Sequence, residues 1–543
     1  MYVIGISSGL KHGHHDGSAV LMKNGKLIAA AEEERFTLAK HARGELPKKA
    51  IEFCLKQAKI SIHDVEYICS PLITYTNYER RLTDYFKFQF GHSPKIKLYD
   101  HHMCHAASTY YPSGFKDATI LCMDFSGDSS SGMIAKGNGK HIEVFEKFER
   151  SQSLGLYYGM ITQFCGYNMT HDEYKVMGLA SYGQPKYVEK FDAILKNTAK
   201  GYSFNTKLDK RSADSEIYTT DFSTRQEQIF TPVLEEILGP RRLKNTPLSQ
   251  HYIDVATSAQ KRLEEVAVNL LKVGIEFSNS KNVCIAGGVG LNVKMNMELL
   301  KANPDIKLFV PPVPNDAGVS YGAAILCMVE NGFSIEKLEH AYWGPEYTQD
   351  EISKTLKQIG AKFTELNNTV SDAIHNLTTG KTIGWFQGRM EYGPRALGNR
   401  SILADPRNAK IKDKINATIK YREEYRPFCP SVLIEKQIEY FENTFEAPFM
   451  AINFEAKKGT TELIPAVIHT DNTARIQSVR KETNPLYHEL LTGFAKETGV
   501  GVLVNTSLNV NEQPLVNSPL EALHTFFCSG LDALYLGNFK LEK

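Results

Sequence analysis

The sequence predicts an α/β protein in two parts: an N-terminal domain built on a duplicated strand, loop and hairpin unit, and a C-terminal α/β domain of different construction. Two observations carry the first part. Residues 2–6 read as a strand, 7–17 as a loop rich in Gly and His, and 18–30 as two apolar runs joined by Asn24-Gly25, the chemistry of a tight hairpin turn. The same order returns at Ala118, with a strand over 119–123, a loop over 124–131 and a second hairpin around Asn138-Gly139. The copies align at a constant offset of 114 residues, Lys26 on Lys140 and Ile28 on Ile142, as an internal repeat does. The third observation is a break in the apolar pattern at Tyr342-Trp-Gly-Pro345. A capping-type helix start, Thr348-Gln-Asp-Glu351, follows it. The expected domains are therefore 1–344 and 345–543.

Composition narrows the function classes. The 543 residues, with 42% hydrophobic and 23% charged, suit a globular chain of several folding units rather than a disordered or coiled-coil one. Lys and Arg number 63 against 62 Asp and Glu, so no overall field exists to hold a polyanion, and no nucleic-acid partner is expected. No run approaches the roughly 18–20 apolar residues of a membrane helix, and the N-terminus enters a strand at once, so no membrane association and a cytoplasmic location are expected. The nine cysteines are odd in number, scattered and without a Cys-x-x-Cys pair. Reduced thiols fit this better than disulfides or a zinc ribbon.

A repeated strand, loop and hairpin followed by helices is the outline of actin-like ATPases and sugar kinases, and a sugar kinase or ATPase is the alternative function this half allows. Residues 282–286 read as a buried strand running into Gly287-Gly288-Val-Gly290 and then a helical stretch over 291–301. A glycine pair there lets a ligand lie against the backbone, which makes Gly287 and Gly288 candidate cofactor contacts.

The strongest metal signal is Asp100-His-His-Met-Cys-His105. On a helix, His101 and His105 share one face, the spacing that offers two imidazoles to one ion. Asp124 after the repeated strand and Asp316 before a helix are placed to aim carboxylates at the same sheet end, and a two-His, two-Asp set suits iron, manganese or zinc. The bland reading is an incidental His pair. In the first loop, His15 has the ordinary pKa of a general base and Asp16 can fix its tautomer, against the alternative of a turn histidine that caps a helix. Glu32-Glu-Glu-Arg-Phe36 with Lys40-His41 reads equally well as a solvated charge run. In the C-terminal part, Arg395, Arg400, Lys420, Arg422 and Arg426 concentrate cations, which suits a multiply anionic small ligand such as a nucleotide or an acyl phosphate. The Gly-Pro-Arg and Arg-Pro-Phe contexts argue against free surface arginines. Gly380-Lys-Thr382 is no P-loop, because His375 stands where the first glycine is required.

Together these segments resemble the O-carbamoyltransferase family (NodU/CmcH type) that decorates nodulation factors and antibiotics. The matching tracts include His15-Asp16 with Ser18-Ala19, Glu33-Glu-Arg-Phe36 with Lys40-His41, Asp100 to His105, Met123-Asp-Phe-Ser-Gly-Asp128 and Glu173-Tyr-Lys-Val-Met-Gly-Leu-Ala180. Further along come Ala286-Gly-Gly-Val289, Asn315-Asp316, Gly393-Pro-Arg-Ala-Leu-Gly398, Tyr425-Arg-Pro-Phe428, Asp471-Asn-Thr-Ala-Arg475 and Leu503-Val-Asn-Thr-Ser507, so the tracts span nearly the whole chain in order. The resemblance implies an actin-like (ASKHA) domain similar to the threonylcarbamoyl transferase, fused to a YrdC-like α/β domain. It implies that the second domain makes carbamoyl adenylate from carbamoyl phosphate and ATP, with Mg, and that the first passes the carbamoyl group to a hydroxyl of a small natural product or sugar. By motif, a metal, typically iron, falls to His101, His105, Asp124 and Asp316. The catalytic set is His15, with Asp16 and Lys40. Arg395, Lys420, Arg426, Arg475, Asn505 and Ser507 fall in the carbamoyl phosphate and nucleotide site. A homodimer is compatible with this reading. Asn511-Glu-Gln-Pro514 and Asp471-Asn-Thr-Ala depart from the usual Gly-Glu-Pro (or Gly-Gln-Pro) and Asp-Gly-Thr-Ala, which puts only local backbone conformation in question.

Overall fold

A computed structural model describes residues 1–9, 15–210 and 228–543; His14 lies outside the described residues. The chain forms two compact units, the first from Met1–Ile28 and Arg43–Leu338, the second from Ala29–Ala42 and Glu339–Lys543.

The first unit holds two five-stranded sheets. In one, β1 (Tyr2–Ile6), β2 (Ser18–Lys23) and β3 (Lys26–Glu32) form a meander, and β4 (Val65–Ser70) and β5 (Lys95–Leu98) extend it in parallel beyond β1, giving the order β3-β2-β1-β4-β5. In the other, β6 (Asp117–Gly127), β7 (Ser130–Asn138) and β8 (His141–Glu149) are the meander. A small hairpin of β9 (Leu195–Thr198) and β10 (Gly201–Phe204) intervenes, and β11 (Asn282–Ala286) and β12 (Lys307–Phe309) then complete the order β12-β11-β6-β7-β8. Each sheet has the same connectivity, which is the duplicated actin-like arrangement the repeat predicts.

The alignment of the two turns slips by one residue. Asn24 (φ 49°) and Gly25 (φ 83°) occupy both positions of the first turn, the type I′ pattern. In the second, Asn138 is the last strand residue and Gly139 (φ 59°) takes the first turn position ahead of Lys140, the type II′ pattern. A second difference matters more. The expected loop over 124–131 is largely strand, because β6 runs on to Gly127 through a bulge: Met123 faces Gly132, and the next pair is Gly127 with Ser130. Asp124 sits in that bulge, where an extra residue re-aims a side chain.

The first unit's longer helices include α1 (His101–Ser113), α2 (Gln250–Ser278) and α3 (Val319–Glu330), of which α1 carries both histidines and α3 follows the turn of Asp316. Asp100 caps α1 by accepting from Met103 N, which starts the helix at His101 and puts both histidines in its first turns. A Cβ on Gly322 would stand 1.8 Å from the Cys104 carbonyl oxygen, so α1 and α3 meet backbone to backbone, and only glycine permits this.

The second unit is built on an eight-stranded mixed sheet in the order β13-β22-β21-β14-β15-β20-β16-β19. Its strands are β13 (Thr364–Glu365), β14 (Ile383–Phe386), β15 (Arg400–Ala404), β16 (Cys429–Leu433), β19 (Gln477–Val479), β20 (Val502–Ser507), β21 (Ala533–Leu536) and β22 (Phe539–Glu542), and a separate ribbon pairs β17 (Asn453–Glu455) with β18 (Thr473–Arg475). Helix α4 (Gln349–Gln358) begins with the capping box of Thr348 and Glu351. One core packs α5 (Thr369–Thr378) and α6 (Pro485–Thr498) on the sheet around Trp385, Tyr487, Leu490, Phe494 and Tyr535. All nine cysteines are free thiols, Cys528 alone being exposed. No helix among the described residues is long and apolar enough to cross a membrane.

Candidate metal centre and anion site

In the first unit, His101, His105, Asp124 and Asp316 converge so that one donor atom from each lies within 4.8 Å of all the others. His101 Nε2 is 3.5 Å from both Asp124 Oδ2 and Asp316 Oδ1, and His105 Nε2 is 3.9 and 3.4 Å from the same oxygens. Ligands about 2.1 Å from a tetrahedral ion stand roughly 3.4 Å apart, so the spacing fits a first-row divalent metal. Both Nε2 atoms and Asp124 Oδ2 are buried without a hydrogen-bond partner, a cost that a bound cation removes. Burial is the largest influence on His101 and pulls its pKa down, but Asp316 and Asp124 outweigh it and lift the imidazole to about 10. Burial likewise opposes the Asp316 carboxylate, yet His101 and His105 hold it well below its ordinary range.

The surroundings orient these ligands. Gly288 N–H donates to Asp124 Oδ1 at 2.9 Å, which leaves Oδ2 toward the histidines. Gly287 N–H is taken by the Pro314 carbonyl, and a Cβ at Gly287 (φ 88°) would strike the Met123 carbonyl at 2.1 Å. Through these contacts the glycine pair holds the loop that carries Asp124. Gly127, which sequence reading did not single out, makes room for the His101 ring, since a Cβ there would come within 2.1 Å of it.

His15 Nδ1 lies 3.1 Å from Asp16 Oδ2, and Asn315 Nδ2 donates to the same oxygen at 3.1 Å. Ser18 Oγ donates to the Ala317 carbonyl, so the first loop is tied to the turn that carries Asp316. Burial lowers the His15 pKa, but Asp16, with a further pull from Asp316, raises it to about 9. Lys40 belongs to the 29–42 segment of the second unit, so the expected set of His15, Asp16 and Lys40 is divided between the units. That segment is anchored within its own unit: Gly393 N–H donates to Glu32 Oε1 and Arg35 donates to the Gly393 carbonyl, both at 2.9 Å, with Glu32 and Glu34 pairing Arg35 at 3.0 and 2.8 Å. This anchor holds the loop that carries Arg395.

In the second unit the expected cations divide by role. Arg400 is fully buried, donates to the carbonyls of Gln387, Gly388, Asn399 and Pro345, and stacks on Phe386; it builds the fold and is not offered to a ligand. Arg422 donates to Asn416 Oδ1 and the Pro427 carbonyl and lies over Phe428. The remaining cations stay clustered. Burial, then the neighbouring Arg475 and Arg426 charges, depress Arg395 to about 9. Lys420, in a single π-helical turn over Asn416–Lys420, is buried and held well below its ordinary value by that burial and by Arg422 and Arg426. Its ammonium donates to Ser507 Oγ at 3.1 Å and Asn509 Oδ1 at 2.7 Å, and to the backbone carbonyls of the same two residues. Asn505 donates to the Ala396 carbonyl, Ser431 Oγ and Gln477 Oε1. Asn509 and Cys429, whose Sγ accepts from Arg475 Nε at 3.0 Å, belong to this cluster and were not picked out from sequence; the Ser-x-Asn spacing of Ser507 and Asn509 was the available signal for the first.

The first unit thus carries a buried two-His, two-Asp cluster that suits a divalent cation, and the second a cation cluster that suits an anion. Comparison with known proteins gives the class. Residues 6–89 and 72–325 match the family described as carbamoyltransferase N-terminus, and residues 374–543 match carbamoyltransferase C-terminus. The chain belongs to the carbamoyltransferase family and is a carbamoyltransferase enzyme. Nodulation protein NolNO of Sinorhizobium fredii is 36% identical over 100% of this chain and 83% of its own length. The 3'-hydroxymethylcephem-O-carbamoyltransferase of Amycolatopsis lactamdurans is 36% identical over 45% of each chain. Among solved structures, HypF of T. kodakarensis aligns at 14% identity over 61% of this chain and 48% of its own, with a TM-score of 0.33.

Proposed function

We propose that the protein is an ATP-dependent O-carbamoyltransferase that forms carbamoyl adenylate in its second unit and transfers the carbamoyl group in its first to a hydroxyl of a small natural product or sugar. The observation that carries this reading is the cluster of Arg395, Arg426, Arg475 and Lys420, where burial and like charge depress Arg395 and Lys420, as a bound polyanion would reverse. Carbamoyl phosphate and ATP are anions of that kind. In the proposed chemistry carbamoyl phosphate yields carbamate and phosphate with water, and carbamate oxygen attacks the α-phosphorus of ATP as pyrophosphate departs. Lys420 and the arginines meet the charge on the transferring groups, with Ser507 and Asn505 beside them in the cluster.

For transfer, His15, oriented by Asp16, takes the proton of the acceptor hydroxyl as the oxygen attacks the carbamoyl carbon and AMP leaves. His101, His105, Asp124 and Asp316 would hold a first-row divalent ion, iron by the family resemblance, which when bound would supply Lewis acidity. The 3'-hydroxymethylcephem relative, by its name, carbamoylates an alcohol, which supports a hydroxyl acceptor here. A sugar kinase reading leaves the second unit's cation cluster without a role. Pyrophosphate release that depends on carbamoyl phosphate, measured without acceptor, tests the activation step; ATP consumption that ignores carbamoyl phosphate would overturn it.

A further inference from the structure

Cys429 occupies an unusual position for a buried thiol. It opens β16 with 4% of its surface exposed, and its sulfur accepts from Arg475 Nε at 3.0 Å. Across the antiparallel ladder its direct partner is Asn505, so the two side chains share a face about 4.5–5.5 Å apart at Cβ. Asn505 is 1% exposed, and although its Nδ2 is bonded, its Oδ1 has no hydrogen-bond partner. A buried amide oxygen without a donor asks for an N–H group from a ligand, and a guanidinium beside a sulfur asks for an acceptor. A thiol, a guanidinium donor and an orphan amide acceptor together are complementary to one small group: a carbamoyl, whose oxygen accepts and whose NH2 donates.

We propose that Cys429 is a site of S-carbamoylation by cyanate, resting on the reading that carbamoyl phosphate binds this cluster. Carbamoyl phosphate dianion breaks down to cyanate and dihydrogen phosphate, so a site that concentrates the first meets the second. The sulfur of Cys429 attacks the carbon of isocyanic acid, an S–C bond forms, one C–N π bond opens, and the thiol proton ends on nitrogen to give Cys–S–C(O)–NH2 with no leaving group. Arg475 faces the oxygen as charge gathers on it, and Asn505 Oδ1 accepts from the new NH2. The adduct fills the pocket and blocks activation, so carbamoyl phosphate left unused restrains the enzyme that consumes it.

The exposed Cys528 is an internal control, because reactivity governed by access alone would modify it first. The full-length protein is treated with potassium cyanate at neutral pH and its cysteine peptides are followed by mass spectrometry. The expected result is an isocyanic acid adduct on Cys429 at least tenfold faster than on Cys528, slowed by inorganic phosphate, and lost in Arg475→Ala. Adduct on Cys528 with Cys429 unmodified overturns the proposal, as does a Cys429 rate indifferent to phosphate. In Cys429→Ser and Cys429→Ala, whatever pyrophosphate release remains is expected to resist cyanate; a loss as large as in the parent overturns the blocking role. Because labelling by cyanate needs no turnover, a chain that labels at Cys429 yet releases no pyrophosphate separates failure of the activation reading from failure of this one.

Discussion

Replacing Lys420 by Met tests the activation site with a magnitude worked from its contacts. The ammonium is buried and donates to Ser507 and Asn509, with burial and two arginines disfavouring its charge. A bound phosphate or carbamoyl oxygen restores that charge, and a charge-assisted contact contributes about 1.5–3 kcal/mol, so activation falls roughly 10- to 150-fold. Ser507 Oγ keeps Asn509 Oδ1 at 2.7 Å, but the Ser507 and Asn509 carbonyls lose a donor, so Lys420→Met also destabilises by about 1–3 kcal/mol, less whatever removing a disfavoured charge returns. Each 1 kcal/mol is a Tm shift of roughly 2–4 °C for a unit this size, and release is measured well below the variant's Tm. The depressed pKa adds a proton signature. Between its lowered value and 10.5, phosphate binding to the parent takes up protons, and Lys420→Met takes up fewer. The assays are carbamoyl-phosphate-dependent pyrophosphate release, thermal unfolding, and phosphate-binding calorimetry in buffers of different ionisation enthalpy. Release within threefold of the parent refutes the reasoning.

Three further outcomes follow from the geometry. His101→Ala and Gly127→Ala each lose bound metal by elemental analysis and lose transfer while retaining pyrophosphate release, the second because its Cβ displaces the His101 ring; full metal occupancy in both contradicts the ligand set. In metal-free protein, His15 titrates by NMR near 9, so its stabilising contribution is complete below 6.5 and is lost as pH rises through about 9, whereas His15→Ala lacks that loss; a titration at or below 6.5 contradicts the Asp16 pairing. Arg35→Ala strands the buried Glu32 carboxylate and destabilises the second unit by about 3–5 kcal/mol in denaturant unfolding, and the Glu32→Ala/Arg35→Ala pair is less than additive; additivity counts against the anchor.

How much of this was legible in the sequence depended on the range of each interaction. The meanders, the Asn-Gly turns, the α1 start at Asp100 and the Thr348 capping box are local, and each reads from a few adjacent residues. The His101 and His105 pair is local too, and the strand before Asp124 and the helix after Asp316 told where these carboxylates would come; the bulge that turns Asp124 inward did not show, because an Asp-Phe-Ser-Gly run reads as loop whether or not a neighbouring strand pairs with it. The anchoring of residues 29–42 was hidden for the same reason, since Glu32 and Arg35 find their shared partner in Gly393, more than 350 positions away. Arg400 and Lys420 look alike in sequence and both donate to backbone carbonyls, but the first has acidic neighbours such as Glu391 and the second stands among the cations Arg422 and Arg426. Cys429 gave no signal at all, because its neighbours Arg475 and Asn505 come from different strands.

The central claim is tested most directly by supplying the intact, metal-loaded protein with isotopically labelled carbamoyl phosphate, ATP and a panel of hydroxylated acceptors, and identifying products by mass spectrometry. The account predicts an acceptor carrying the label as a carbamate ester on oxygen, with AMP and pyrophosphate formed only when carbamoyl phosphate is present. A phosphorylated acceptor with ADP, formed equally well without carbamoyl phosphate, would contradict it.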